Sequence, residues 1–226
     1  MAGIKNSPRM IESKFEDAFI PYEEKIQNRF LINHTNFLTG EISEENIRKI
    51  SQWLVYENLD TTKTKKILTL YINSPGGSVL CGLGIVDLMN YVSSDIVTTN
   101  LGMCASMGSV LLSSGTKGKR SSLIHSKVMT HQVSHGTRGN IQDTRIDQME
   151  GEKYNYILFK ILAENCGKTF QEVLDFSARD RWYNSEEAKE FGLIDEVIGT
   201  NKNKSITNYL DGFDDYYKKE VLNLKK

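Results

Sequence analysis

Ile67-Leu68-Thr69-Leu70-Tyr71-Ile72-Asn73-Ser74-Pro75-Gly76-Gly77-Ser78 is the stretch of this 226-residue chain from which the fold can be read. Ile67 to Ile72 is a short, nearly continuous apolar run, as expected of a strand buried on both faces. Asn73 to Gly77 then breaks the strand, and Leu80 to Val92 reads as a helix. A strand that runs through a glycine-rich turn into a helix is the elementary unit of an α/β fold.

The same alternation continues on both sides. Upstream, Ser43 can cap a helix with Glu44 and Glu45 in its first turn and Ile47, Ile50 and Leu54 on one face. Downstream, Ile96 to Thr99 reads as a strand, Ser106 to Ser114 as a buried helix and Lys127 to His131 as a further strand. A long helix is expected from about Asn140 to Asn165, with Gly167 just past its end. Thr169 and Glu172 form a capping-box pattern for the next helix. Ser185-Glu186-Glu187 starts a short helix that Gly192 stops, and Leu193 to Ile198 returns as a strand. Strands alternating with helices predict an α/β fold with a largely parallel sheet.

Composition narrows the function classes. With 28 Lys and Arg against 29 Asp and Glu, the formal charge is -1, which gives no electrostatic reason for a nucleic-acid or anionic-membrane partner. The basic run Lys117 to Arg120 reads as a solvated loop. Cys81, Cys104 and Cys166 are widely spaced, without a CxxC pair, so neither a zinc site nor a disulfide framework is signalled and a reducing, cytoplasmic-type compartment fits. Charged residues such as Lys14, Glu16 and Asp17 interrupt the first thirty positions, against a secretory leader, and no apolar run approaches a membrane span. Met1 to about Lys25 is polar and weakly patterned, which suits a mobile or partner-facing segment.

In parallel sheets, sites form at the carboxyl ends of strands, in the loops that enter helices. Two loops here suit close backbone work. Gly76 and Gly77 would let main-chain N–H groups face a ligand, although a plain tight turn would use the same residues. In Gly102-Met103-Cys104-Ala105-Ser106-Met107-Gly108-Ser109, small residues surround a serine at the start of an apolar helix. The free N–H groups and dipole there favour an anion, including a tetrahedral oxyanion, yet a serine in that place also serves as a simple N-cap.

These two motifs occur in order with Met129-Thr130-His131-Gln132, Arg179-Asp180, Glu187-Ala188 and Gly192-Leu193-Ile194-Asp195. Together they resemble the proteolytic subunit of the Clp protease family over about residues 37 to 198, beginning at Phe37-Leu38-Thr39-Gly40. The resemblance implies a crotonase/ClpP-like fold of repeated β-β-α units, with a largely parallel sheet and a long protruding handle helix. It divides the chain into an N-terminal segment at 1–25, a peptidase domain at 26–198 and a C-terminal tail at 199–226. It also implies a serine endopeptidase with Ser106 as nucleophile, His131 as general base and Asp180 as the carboxylate that orients the base. The backbone N–H groups of Gly77 and Met107 match the family's oxyanion hole. No metal or cofactor is needed for that chemistry. The implied partners are polypeptide substrates, identical subunits in two stacked seven-membered rings, and an AAA+ Clp ATPase. That ATPase would be a separate protein, since this chain has no GxxxxGKS/T loop. A cytoplasmic location, or its plastid or host-cell equivalent, goes with these partners, and nucleic acid or membrane does not.

Other residues compete for these roles. His34, His125 and His135 lack the family's His-Gln context, and His135 reads as a solvated surface residue. Cys104 invites thiol chemistry but reads as a small buried residue. Asp175 and Asp195 are the competing carboxylates, and Asp195 matches a family position that is not the triad acid. The chain also departs from the family. Val133 stands where proline usually follows His-Gln, and Ala178 replaces a commonly acidic residue that pairs between rings. The family's usual N-terminal opening is missing. The stretch after Ile198 is long, with Tyr209, Phe213, Tyr216, Tyr217 and Val221 placed to form an amphipathic segment. Two other functions fit less of the pattern: a catalytically silent ring subunit, and an acyl-CoA enzyme of the crotonase type.

Overall fold

A long strand, β3 (Asp95–Ala105), organises the sheet, because its two halves have different neighbours. The computed structural model describes residues 20–59, 66–134, 136–199 and 206–222. Among these, β1 (Thr35–Thr39), β2 (Ile67–Ser74), β3, β4 (Arg120–Leu123) and β7 (Glu196–Ile198) lie side by side in that order, all parallel. β4 pairs with the first half of β3, at Thr98 to Asn100. The second half, Met103 to Ala105, pairs with β5 (Lys127–Thr130), and β5 pairs in turn with antiparallel β6 (Arg181–Asn184). The expected α/β class with a mostly parallel sheet is what the chain adopts.

The helices form where apolar spacing and caps coincide. They are α1 (Tyr22–Ile32), α2 (Glu44–Leu59), α3 (Val79–Tyr91), α4 (Met107–Ser113), α5 (Ile141–Cys166), α6 (Phe170–Ser177) and α7 (Ser185–Phe191). Gly82, Ile85, Val86 and Met89 make the buried stripe of α3, and Ile50, Trp53 and Leu54 that of α2. The 26-residue α5 is capped by the Asn140 side chain, which accepts from the Gln142 and Asp143 N–H groups. It stops at left-handed Gly167. Its buried residues, Leu158, Phe159, Leu162, Ala163 and Cys166, all lie in the second half. The Thr169/Glu172 capping box starts α6, and a second box, Asn184/Glu187, starts α7. No described helix is long and apolar enough to cross a membrane.

Several expectations need correction. β2 is not buried on both faces: Leu68, Leu70 and Ile72 are buried, while Ile67 on the other face is 50% exposed. An apolar run marks a strand but cannot say whether a second layer covers its far side. β3 extends past Thr99 because β5 pairs with its last residues, Met103 to Ala105. Of the expected strand Leu193 to Ile198 only the last three residues form β7, with Leu193 and Ile194 packing as a buried turn. β1, β4 and β6 carry no strand signal in the sequence, because four or five residues of mixed polarity show no period. Arg120 does not belong to a solvated loop. It is 1% exposed, with Nη2 and Nε donating to Asp195 at 2.6 and 2.8 Å and Nη1 donating to the Asn165 carbonyl at 2.9 Å.

The expected boundary at residue 25 falls inside α1, and residues 1–19 lie outside the described residues. Beyond β7 follow α8 (Thr207–Leu210), α9 (Phe213–Tyr216) and a π-helical turn, Tyr217–Leu222. The side chains of Tyr209, Phe213, Tyr216 and Tyr217 are exposed, and Tyr209 stands edge-on to His125.

Candidate active site

The sheet's pairing brings separate strand ends together. Where β3 ends, Ala105 lies beside Met129 of β5, and the Ser106 N–H donates to the Met129 carbonyl at 2.9 Å. On its other side, Cys104 pairs with Ser74 at the end of β2. The antiparallel β5–β6 register sets Thr130 opposite Arg181, so the next step sets His131 opposite Asp180. Residues far apart in sequence thus meet at one edge.

His131 Nε2 lies 2.9 Å from Ser106 Oγ, and its Nδ1 lies 3.2 Å from Asp180 Oδ1. The simple N-cap alternative for Ser106 fails, because its side chain caps no N–H of α4. Its backbone sits at φ 55° and ψ -126°, a conformation that costs a residue with a Cβ about 1–3 kcal/mol. Such a sharp strand-to-helix turn projects a hydroxyl out of the sheet edge. Ser106 and His131 open on a cleft of about 230 Å³ whose inner wall is apolar, with Val110, Leu158, Phe159 and Leu162. The His131 side chain is 20% exposed and that of Asp180 66%, so the carboxylate is the wettest of the three.

The glycine loop is held against this serine. A Cβ on Gly76, at φ +99°, would stand 2.7 Å from both the Ala105 carbonyl oxygen and Ser106 Cβ. A Cβ on Gly77 would stand 2.5 Å from the Ile42 carbonyl oxygen. Only glycine permits these approaches. Ile42 N–H donates to the Gly76 carbonyl, and Ser78 N–H donates to the Ile42 carbonyl, at 2.7 and 2.8 Å. In this parallel bridge Gly77 turns its own N–H away from Ile42, and Gly77 and Met107 both line the cleft. Met107 opens α4, where an N–H has no intrahelical acceptor.

The competing residues that are described are engaged otherwise. His34 pairs with Glu57 at 2.9 Å, His125 packs on Tyr209, and His135 lies outside the described residues. Asp175 accepts from Gln171, and Asp195 is committed to Arg120. Cys104 is fully buried, and burial pushes its thiol well above the ordinary value, so the reactive thiolate is suppressed. Among the described residues no cluster of His, Cys, Asp and Glu could hold a metal ion.

The sequence model of the Clp protease family matches residues 21–201, which span the sheet and all of these site residues. The chain belongs to the Clp protease family. It is similar to the "ATP-dependent Clp protease proteolytic subunit" of Bacteroides fragilis, at 44% identity over 171 residues, 76% of this chain and 82% of that protein. It is 42% identical over 178 residues to "ATP-dependent Clp protease proteolytic subunit 2" of Corynebacterium efficiens, covering 78% of this chain and 88% of that protein. With "ATP-dependent Clp protease proteolytic subunit 3" of Rhodococcus jostii it shares 40% identity over 179 residues, 79% of this chain and 88% of that protein. As a member of the Clp protease family the chain is a peptidase, a Clp-type protease subunit, and the acyl-CoA enzyme alternative is set aside.

Sequence reasoning missed several supports of the Clp protease site. Ser74 Oγ accepts from the Gly76 N–H at 3.1 Å, and Asn73 Oδ1 accepts from the Met103 N–H at 3.0 Å, joining the two site loops. Val133 carries the N–H that a proline would lack, and donates it to Asn155 Oδ1 of α5 at 3.0 Å. Ser177 Oγ donates to Thr130 Oγ1 at 3.0 Å beneath the site. The departure at Val133 was a signal for one of these. The others depend on side chains that only the fold brings together.

Proposed function

We propose that the chain is a serine endopeptidase in which Ser106 attacks, His131 carries the proton and Asp180 orients His131. The 2.9 Å contact between Ser106 Oγ and His131 Nε2 carries this reading. In the attack, Ser106 Oγ bonds to the peptide carbonyl carbon while its proton passes to His131 Nε2. The carbonyl oxygen becomes an oxyanion held by the Gly77 and Met107 N–H groups. The C–N bond then breaks as His131 returns the proton to the leaving amine, and water repeats the cycle on the acyl-enzyme. Asp180 steadies the imidazolium through Nδ1. The apolar inner wall of the cleft favours an apolar side chain beside the cut bond.

Family membership supports a wider reading. Polypeptides would enter a chamber made of two stacked seven-membered rings of this subunit, delivered by a separate AAA+ Clp ATPase in a cytoplasmic-type compartment. Ala178 at the end of α6 cannot supply an acidic partner between rings, so that joint falls to the first half of α5, which buries nothing within its own chain. The deciding experiment treats the purified protein with a fluorophosphonate and maps the adduct. Modification of Ser106, abolished in Ser106→Ala and slowed in His131→Ala, is expected. An assembled protein that is never modified would instead be the silent ring subunit.

A further inference from the structure

Thr130 and Ser177 are 1% and 0% exposed, and their hydroxyls meet at 3.0 Å across 47 residues of sequence. Their places in the chain give that bond leverage. Thr130 ends β5 and immediately precedes His131, while Ser177 ends α6, three residues before Asp180. Side chains alternate along a strand, so Thr130 faces the core while His131 faces the cleft. The Ser177–Thr130 bond therefore pins the α6–β6 connection to β5 from below, and the His131–Asp180 contact spans the same two segments from above. Asp180 needs such help. Its side chain is 66% exposed, and among the described residues its only hydrogen-bonded side-chain partner is His131, at 3.2 Å. The buried Tyr183 hydroxyl stands beside Thr130 as well, but only Ser177 makes a well-formed hydrogen bond to it.

We propose that the buried Ser177–Thr130 hydroxyl pair is a positioning device for peptide hydrolysis, holding the Asp180 segment against the end of the His131 strand. The inference rests on the Ser106–His131–Asp180 reading, and the pair itself touches no substrate. A neutral buried hydrogen bond is a modest restraint, so its loss is expected to slow the reaction about tenfold rather than abolish it.

The test is the second-order rate of fluorophosphonate modification of Ser106 in the full-length protein, measured beside thermal stability. Thr130→Val keeps the branched shape without the hydroxyl and is expected to react about tenfold more slowly than wild type. Thr130→Ser, which restores the hydroxyl, is expected to recover most of that rate. Thr130→Val combined with Ser177→Ala removes both polar groups, so it should regain stability lost in the single variant while staying slow. Recovery of the rate together with stability in the double variant would reduce the pair to a packing feature and overturn the proposal. A wild-type rate in Thr130→Val, or an equal loss in Thr130→Ser, would also overturn it. No adduct on wild-type Ser106 would overturn the serine mechanism first and this inference with it.

Discussion

Ser106 sits in its strained turn because the residues around it leave no room for relaxation. Gly76 lies so close that an added Cβ would reach 2.7 Å from Ser106 Cβ, and its φ of +99° already disfavours any other residue. Gly76→Ala is expected to shift Ser106 and lower the fluorophosphonate rate about a hundredfold with the circular dichroism spectrum retained. Asp180→Asn is a graded case. Removing a buried triad carboxylate costs about 10⁴ in turnover, but Asp180 is largely solvated, so water already weakens its hold on the imidazole. The expected loss is about a hundredfold to a thousandfold, read from turnover of a fluorogenic peptide. At this scale the proposed site residues came from the ordered family motifs. Residue chemistry alone left Ser106 as nucleophile or helix cap, because that choice depends on where His131 lies.

Strands and helices were legible in proportion to their length and caps. The Thr169/Glu172 box of α6 and the glycines that stop α5 and α7 act locally, so they read directly from the chain. β6 did not, although it positions Asp180, because Arg181-Trp182-Tyr183-Asn184 becomes a strand only by pairing with β5. The Arg120–Asp195 pair was equally hidden and ties β4, the turn before β7 and the end of α5 together. Asp195→Ala strands a buried guanidinium and is expected to cost about 3 kcal/mol in urea unfolding. Burial works to raise the Asp195 pKa, but hydrogen bonds from the Arg120 side chain and N–H, the Arg120 charge and the Gly118 N–H outweigh it, so the carboxyl titrates below its usual value. A depressed folded pKa means stability present above the unfolded value, about 3.9, and lost as pH falls through the lower folded one. The stability gap between wild type and Asp195→Asn should therefore narrow as pH falls below about 4. An unchanged gap would show that the carboxylate's charge contributes nothing.

For the whole molecule, the exposed apolar side chains of α5 are unaccounted for within one chain. Ile141, Ile146, Met149 and Tyr156 are all exposed, and Met149 and Tyr156 border an apolar groove that Phe170 and Leu174 complete. Two apolar side chains moved out of water are worth about 3–6 kcal/mol, enough to govern assembly. Under the proposed ring assembly, Ile146→Asp with Met149→Asp is expected to lower the particle mass by light scattering, and an unchanged mass would place the subunit contact elsewhere.

What the sequence determined by itself was mostly what local chemistry decides. Strand–turn–helix alternation, helix ends and glycine turns depend on neighbours a few residues away, and the ordered motifs carried the family. The tertiary structure alone decided which faces are covered, that Arg120 is buried against Asp195, and that Ser106, His131 and Asp180 come within hydrogen-bonding reach. Those outcomes depend on strand register between distant segments, and register is set by the summed packing of the core rather than by any single stretch of chain.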